Sequence, residues 1–275
     1  MAGQVVVEVG QWQGSGAGTA LRLRSGAARL AELLPEGPRY TVAIEAGAGT
    51  SRDGVENADV LERQLQAVRA VLAEVPAGDL TVTIGGDCAV DLAPVETALS
   101  AFGDRLAVVW FDAHADLNSP DSSPSGAFHG MVLRALIGDG PKGLRPLRTL
   151  PAERVVLAGA RSLDPGERDL VESRGIRHLA VGQLAQPGPL LAAVRATGAD
   201  AVYVHIDLDV LDPLVFPAVG TPEPGGLGVD ELIAAVRLLT EEFTLAGIAL
   251  TEYERTEDTG QEEAVLRRIV DGLFG

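Results

Sequence analysis

The chain has 275 residues and carries 39 Asp and Glu against 22 Lys and Arg, a formal net charge of −17. An apolar share of 46% with 22% charged residues belongs to a globular protein and excludes a disordered, collagenous or coiled-coil chain. Nucleic acid and anionic membrane surfaces need clustered cations, whereas Lys142 is the only lysine, so neither is an expected partner. No apolar run approaches the roughly 18–20 residues of a membrane span, and no basic residue precedes Arg22, so neither a span nor a signal peptide is expected. The single Cys88 cannot form an internal disulfide, which fits a reducing compartment and a cytoplasmic location.

In chain order, β-branched runs at 5–9, 40–45, 80–84, 106–111, 154–158, 201–206 and 247–250 read as strands. Ala- and Leu-rich stretches near 57–75, 91–102, 165–174, 187–198, 229–243 and 261–273 read as helices between them. This repeating order predicts an α/β fold, a three-layer α/β/α arrangement with a mostly parallel sheet. No Pro/Gly/Ser linker divides the chain, so one domain over 1–275 is expected. Segments 115–130 and 211–228 are rich in Pro, Gly and Ser and follow strand ends, the edge where parallel sheets bind ligands.

Three strand ends carry chemistry. After 106–111 comes Asp112-Ala113-His114-Ala115-Asp116, where alternate residues of an extended chain place two carboxylates and an imidazole on one side. Asp207 and Asp209 of His205-Ile206-Asp207-Leu208-Asp209 share a face in the same way, and Gly85-Gly86-Asp87-Cys88 follows a third strand. Aspartates after strands are most often caps and turn formers. Four carboxylates brought together would repel, however, and two divalent cations would balance them.

The series GGDC (85–88), DAHAD (112–116), SGAFHG (125–130), HIDLDVLDP (205–213), GTPEPGGL (220–227) and TEYE (251–254) resembles, in order and spacing, the arginase or ureohydrolase family of dinuclear manganese amidinohydrolases. The resemblance implies two Mn²⁺ per subunit, with Asp112 and Asp207 bridging, Cys88 and Asp116 completing one ion, and His114 and Asp209 the other. It further implies that Asp116 orients the attacking water, that His129 is a proton shuttle and that Glu252 grips the guanidinium. Asn118 and Ser125 match positions that bind a substrate α-carboxylate, Asp164 one that receives the α-amino group, and Glu167 and Thr221 further pocket positions. An L-arginine-like amino acid is the implied small-molecule partner, and a homo-oligomer is expected.

Where the family pattern has GGDH, this chain has Cys88, a softer ligand better suited to zinc or iron than to Mn²⁺. An arginase-like pocket with cysteine at that position is most similar to the members that hydrolyse Nω-hydroxy-L-arginine to hydroxyurea and L-ornithine in antibiotic biosynthesis. Plain arginase chemistry, releasing urea, and a metal-poor binding protein of the same fold are the alternatives. A single-zinc, deacetylase-like hydrolase would leave Asn118, Ser125 and Asp164 without a purpose. Other signals are weaker. Gly14–Thr19 lacks the third glycine of a dinucleotide loop and a following lysine, His178 reads as a surface residue, and Trp12 and Trp110 read as packing. His205 reads either as a residue orienting a ligand or as a satisfied core group.

Overall fold

The computed structural model describes residues 3–257 and 259–275. Its strands are β1 (Gln4–Val9), β2 (Arg39–Thr41), β3 (Leu80–Gly85), β4 (Leu106–Phe111), β5 (Val155–Ala158), β6 (Arg177–Leu179), β7 (Ala201–Asp207) and β8 (Thr244–Thr251). They form one sheet in the order β2-β1-β3-β8-β7-β4-β5-β6, with every neighbouring pair parallel. The helices are α1 (Leu21–Leu33), α2 (Ala58–Leu72), α3 (Leu92–Phe102), α4 (Val132–Arg134), α5 (Pro165–Arg174), α6 (Val181–Leu184), α7 (Pro187–Arg195), α8 (Val229–Glu242) and α9 (Thr259–Phe274).

Central parallel strands bury both faces and so read as unbroken apolar runs. β4 and β7 are buried at every position. Alternation divides β4 between two cores: Leu106, Val108 and Trp110 pack with α2 and α3, while Ala107, Val109 and Phe111 pack with α1, α7, α8 and α9. The chain builds one sheet edge with β1 to β3, crosses to lay down β4 to β6, then returns with β7 and β8 to fill the gap. That return sets the carboxyl ends of β3, β8, β7 and β4 side by side.

The α/β fold, the parallel sheet and the two loop segments agree with the sequence reading, and several bounds are corrected. The strand expected at 40–45 is β2, which ends at Thr41 because its only partner, β1, ends at Val9. β6 was absent from the expected strands: it is a three-residue edge strand with a polar Arg-His start, too short to show a period. Helix α1 was also missed, although Leu23, Ala27, Leu30 and Ala31 make an apolar stripe that packs against the sheet. Helix α7 stops at Arg195, short of the expected 198, where Gly198 turns with a φ of 76°.

Gly86 marks the tightest approach at the carboxyl edge. Its N–H donates to Val9 O (2.9 Å), and a Cβ there would overlap the Gln11 carbonyl oxygen. Gly86→Ala is therefore expected to destabilise the protein by about 2–3 kcal/mol, as overpacking against immobile backbone does. Gly188→Ala, with open space around the added methyl, serves as the control. Urea denaturation midpoints for the pair check this; equal midpoints would show that the β1 and β3 loops can move apart freely.

Candidate functional site

Each of the four central strands delivers a side chain to one spot. Cys88 follows β3 in a short 3-10 turn, Asp112 follows β4, Asp207 ends β7 and Glu252 follows β8. Strand-end amides that have left the ladder donate to these acids: His114 N–H to Asp112 Oδ1 (2.6 Å), Ala113 N–H to Asp209 Oδ1 (3.0 Å), Asp209 N–H to Asp207 Oδ1 (2.7 Å) and Cys88 N–H to Glu252 Oε1 (3.0 Å). The Trp110 indole N–H donates to Asp112 Oδ2 (3.0 Å). The His114 imidazole lies between Asp209 Oδ2 (3.0 Å) and Asp112 Oδ1 (3.4 Å), and the Cys88 thiol donates to Asp207 Oδ2 (3.2 Å).

Among the described residues, three sets bring possible ligand atoms within 4.8 Å of one another: Asp112-His114-Asp209, Cys88-Asp207-Glu252 and Cys88-Asp112-His205. Two buried carboxylate oxygens close by, Asp116 Oδ2 and Glu252 Oε2, have no hydrogen-bond partner. Both acids sit in left-handed backbone, with φ of 53° and 64°. Such strain, of order 1–3 kcal/mol per residue, concentrates at functional sites. Bare oxygens, one thiol and an imidazole around shared acids form a donor set that fits divalent cations.

The electrostatics agree. Burial, then the neighbouring carboxylates, raise the pKa of Asp112, Asp116 and Asp207, and the same causes push the Cys88 thiol up. For His114 burial acts downward, but its hydrogen bonds to Asp112 and Asp209 win and carry it up to about 12. Burial likewise acts upward on Asp209, and His114 more than offsets it, holding that acid below its ordinary value.

Beside the cluster is a cavity of about 180 Å³ whose wall includes Asp116, Asn118, His129, Asp164, Glu167 and Thr221. Asn118 Nδ2 donates to Asp164 Oδ2 (2.8 Å). Glu167 braces this wall, accepting from the Leu117 N–H (2.9 Å) and the Asp164 N–H (2.8 Å), so its carboxylate holds the loop rather than facing the cavity free. The Thr221 hydroxyl donates to Asp209 Oδ2 (3.1 Å). His129 Nδ1 is 3.1 Å from Glu252 Oε1.

Three residues sit otherwise than the sequence reading placed them. Ser125 is exposed, and its hydroxyl accepts from the Ala127 N–H (3.2 Å), so it is used in the turn and does not line the cavity. Glu252 lies behind His129 rather than on the cavity wall. Asp116 belongs to none of the three convergent sets, although it lines the cavity beside them and keeps one oxygen unpartnered. The structure adds residues that sequence reasoning passed over. Asp91 hydrogen-bonds His205, Glu223 receives the Ser162 hydroxyl (3.0 Å), and Asp87 staples Gln11, Gly14 and Ala89. The even spacing of His205 and Asp207 on one strand face was the signal that could have promoted His205.

A model of the Arginase family matches residues 20–273. The arginase of Staphylococcus aureus (strain COL) is 32% identical over 234 residues, covering 82% of this chain and 77% of that one. Among solved structures, the Bacillus caldovelox arginase superposes with a TM-score of 0.83 at 26% identity, covering 100% of this chain and 99% of its own. The Entamoeba histolytica arginase, in complex with L-ornithine, gives 0.88 at 23% identity with full coverage of both chains.

Acids and a thiol with raised pKa values must lose their protons before they can ligate. Uptake of divalent cations is therefore expected to release protons, and apparent affinity should rise with pH through neutrality. Titration calorimetry of the metal-stripped protein with Mn²⁺, in buffers of different ionisation enthalpy, reads both that release and a stoichiometry near two. Binding heats independent of the buffer, or saturation at one ion, would contradict this account of the cluster.

Proposed function

The chain belongs to the arginase family, and from that premise we propose that it cleaves the guanidino group of an L-arginine-like amino acid, best Nω-hydroxy-L-arginine. Water and that substrate would give L-ornithine and hydroxyurea; arginine itself would give urea. The observation that carries the choice is Cys88, a buried thiol 3.2 Å from Asp207 at the place where the family resemblance expects histidine.

Enzymes of this family are binuclear metal enzymes, typically manganese. Here Asp112 and Asp207 would be shared between two ions, Cys88 and Asp116 would hold one, and His114 and Asp209 the other. When bound, such a pair supplies Lewis acidity and lowers the pKa of a water between the ions. Asp116, which lines the cavity and keeps an unpartnered oxygen, would orient the attacking water towards the guanidino carbon. Burial works against protonation of His129, but Glu252 outweighs it and raises the pKa, so His129 can hand a proton to the departing amine of ornithine. The Asn118 and Asp164 pair offers an amide and a carboxylate to the substrate's α-carboxylate and α-amino groups. We also propose a cytoplasmic homo-oligomer; no described helix is long and apolar enough to cross a membrane.

A thiolate gives more charge to its cation than imidazole does and leaves it a weaker Lewis acid. Plain arginine, a strongly basic guanidinium, then reacts slowly. An N-hydroxyguanidine has a lower pKa and is more electrophilic when neutral, so it tolerates the weaker site. Release of urea from arginine as the main reaction is the competing reading, favoured by the similarity to the Staphylococcus aureus and Bacillus caldovelox arginases.

Two measurements decide. Urea and hydroxyurea formation are followed side by side from arginine and its N-hydroxy derivative; the wild type should prefer the latter, and Cys88→His should shift the ratio of kcat/KM values towards arginine. A wild-type preference for arginine, or a ratio insensitive to the substitution, overturns the proposed specificity. Separately, His129→Asn should keep the ions yet lower kcat on the order of 10² or more, and an unchanged kcat would assign His129 to packing.

A further inference from the structure

His205 belongs to no function assigned so far. It is fully buried on β7, one alternation below Asp207, beside Trp110 of β4 in register and Ala249 of β8. Its ring lies flat on the Trp110 ring, with centroids 3.4 Å apart and planes 7° from parallel. Nδ1 is 2.7 Å from Asp91 Oδ2, and the other Asp91 oxygen accepts from the Tyr203 hydroxyl (2.6 Å). Nε2 points to the Cys88 sulfur, 3.4 Å away. A buried Asp and His pair is costly compared with an apolar core of the same volume. Merely filling space below Asp207 would not call for it.

A histidine whose one nitrogen is tied to a carboxylate presents the lone pair of the other in a fixed direction, as metal-ligating histidines do. What faces that lone pair is the Cys88 sulfur, whose one proton already goes to Asp207 Oδ2. Sulfur and imidazole nitrogen bound to one tetrahedral ion, at about 2.3 and 2.0–2.1 Å, lie roughly 3.5 Å apart. The observed separation is 3.4 Å, and an Asp112 oxygen lies within 4.8 Å of both atoms.

We propose that His205, positioned by Asp91 and held flat by Trp110, is a metal ligand alongside Cys88 and Asp112, so that the imidazole missing at position 88 is supplied from β7, across β8 from the strand that carries Cys88. This rests on the two-metal reading above and changes its softer half: the Cys88 position becomes a sulfur, nitrogen and oxygen site suited to Zn²⁺, Co²⁺ or Fe²⁺. On binding, the cation–sulfur bond forms as the Cys88 proton leaves to solvent. His205 binds through neutral Nε2 and keeps its Nδ1 proton towards Asp91. Nothing is oxidised or reduced.

Co²⁺ is the probe. Metal-stripped full-length protein titrated with Co²⁺ should develop a near-ultraviolet thiolate charge-transfer band together with visible bands of a low-coordinate ion. Cys88→Ser should lose the charge-transfer band. His205→Gln should keep it while weakening Co²⁺ binding at that position at least tenfold, and Asp91→Asn should weaken it less. X-ray absorption on the wild-type di-cobalt protein, which depends on no variant folding, should count one sulfur and two imidazoles, those of His114 and His205. One imidazole, or a His205→Gln affinity equal to wild type, overturns the proposal and leaves His205 as a hydrogen-bond partner of Cys88. Two bound ions without sulfur overturn it as well while sparing the two-metal reading, whereas failure to bind any ion removes both.

Discussion

Asp112, Asp116, Asp207, Asp209 and Glu252 are all buried around the carboxyl ends of adjacent strands, where their charges repel one another with little water to screen them. The local structure answers that repulsion in three ways. Backbone amides that leave the sheet ladder turn onto the acids, as Ala113, His114 and Asp209 do. His114 carries positive charge between two of them. What these leave uncompensated raises the pKa of Asp112, Asp116 and Asp207, a repulsion that divalent cations can relieve.

Such a cluster requires a particular sheet. Because β7 and β8 return to the middle, the acids come from chain segments far apart in sequence yet stand on neighbouring strands whose register is set by parallel pairing. The β1 loop is drawn to the same edge by Asp87, which accepts from Gln11 Nε2, the Gly14 N–H and the Ala89 N–H. Gly14 and Gly86 permit this because a Cβ at either would meet Asp87 or Gln11. His129 N–H donates in turn to Gly14 O (2.9 Å), so the proton-transfer candidate is positioned through the same staple.

Legibility in the sequence followed the strength of the local pattern. Strands buried on both faces, such as β4 and β7, announce themselves as apolar runs, and the acids at their ends stand out against them. β6 and the end of β2 depend on which neighbour is available to pair, a tertiary fact that no period of three residues can carry. Asp112, His114, Asp207 and Asp209 stand out by their even spacing after apolar strands, although β4 ends at Phe111 and β7 at Asp207, so turns beyond the strands and not an extended chain bring them together. The roles of Cys88 and Glu252 came through family resemblance, since neither Gly85-Gly86-Asp87-Cys88 nor Thr251-Glu252-Tyr253-Glu254 carries a ligand set by itself. Ser125 lies outside the cavity wall, and a serine in a Ser-Gly turn has a local use for its hydroxyl that motif matching cannot see.

Hydrogen-bond satisfaction separates the buried acids by role where residue type does not. Asp87 has both oxygens engaged by neutral donors, which suits a structural staple, and burial with the nearby Glu252 carries its pKa to about 7. Asp91 has both oxygens engaged by Tyr203 and His205. Asp116 and Glu252 each keep a buried oxygen with no donor, in backbone strained enough to need a compensating gain. An unsatisfied buried carboxylate oxygen costs on the order of 1–3 kcal/mol or more, so its persistence in two acids beside the convergent ligand sets suits partners outside the polypeptide. Asp91, fully satisfied and equally deep, acts at one remove: it fixes the ring of His205, and His205 faces the thiol that distinguishes this site from a histidine-bearing one.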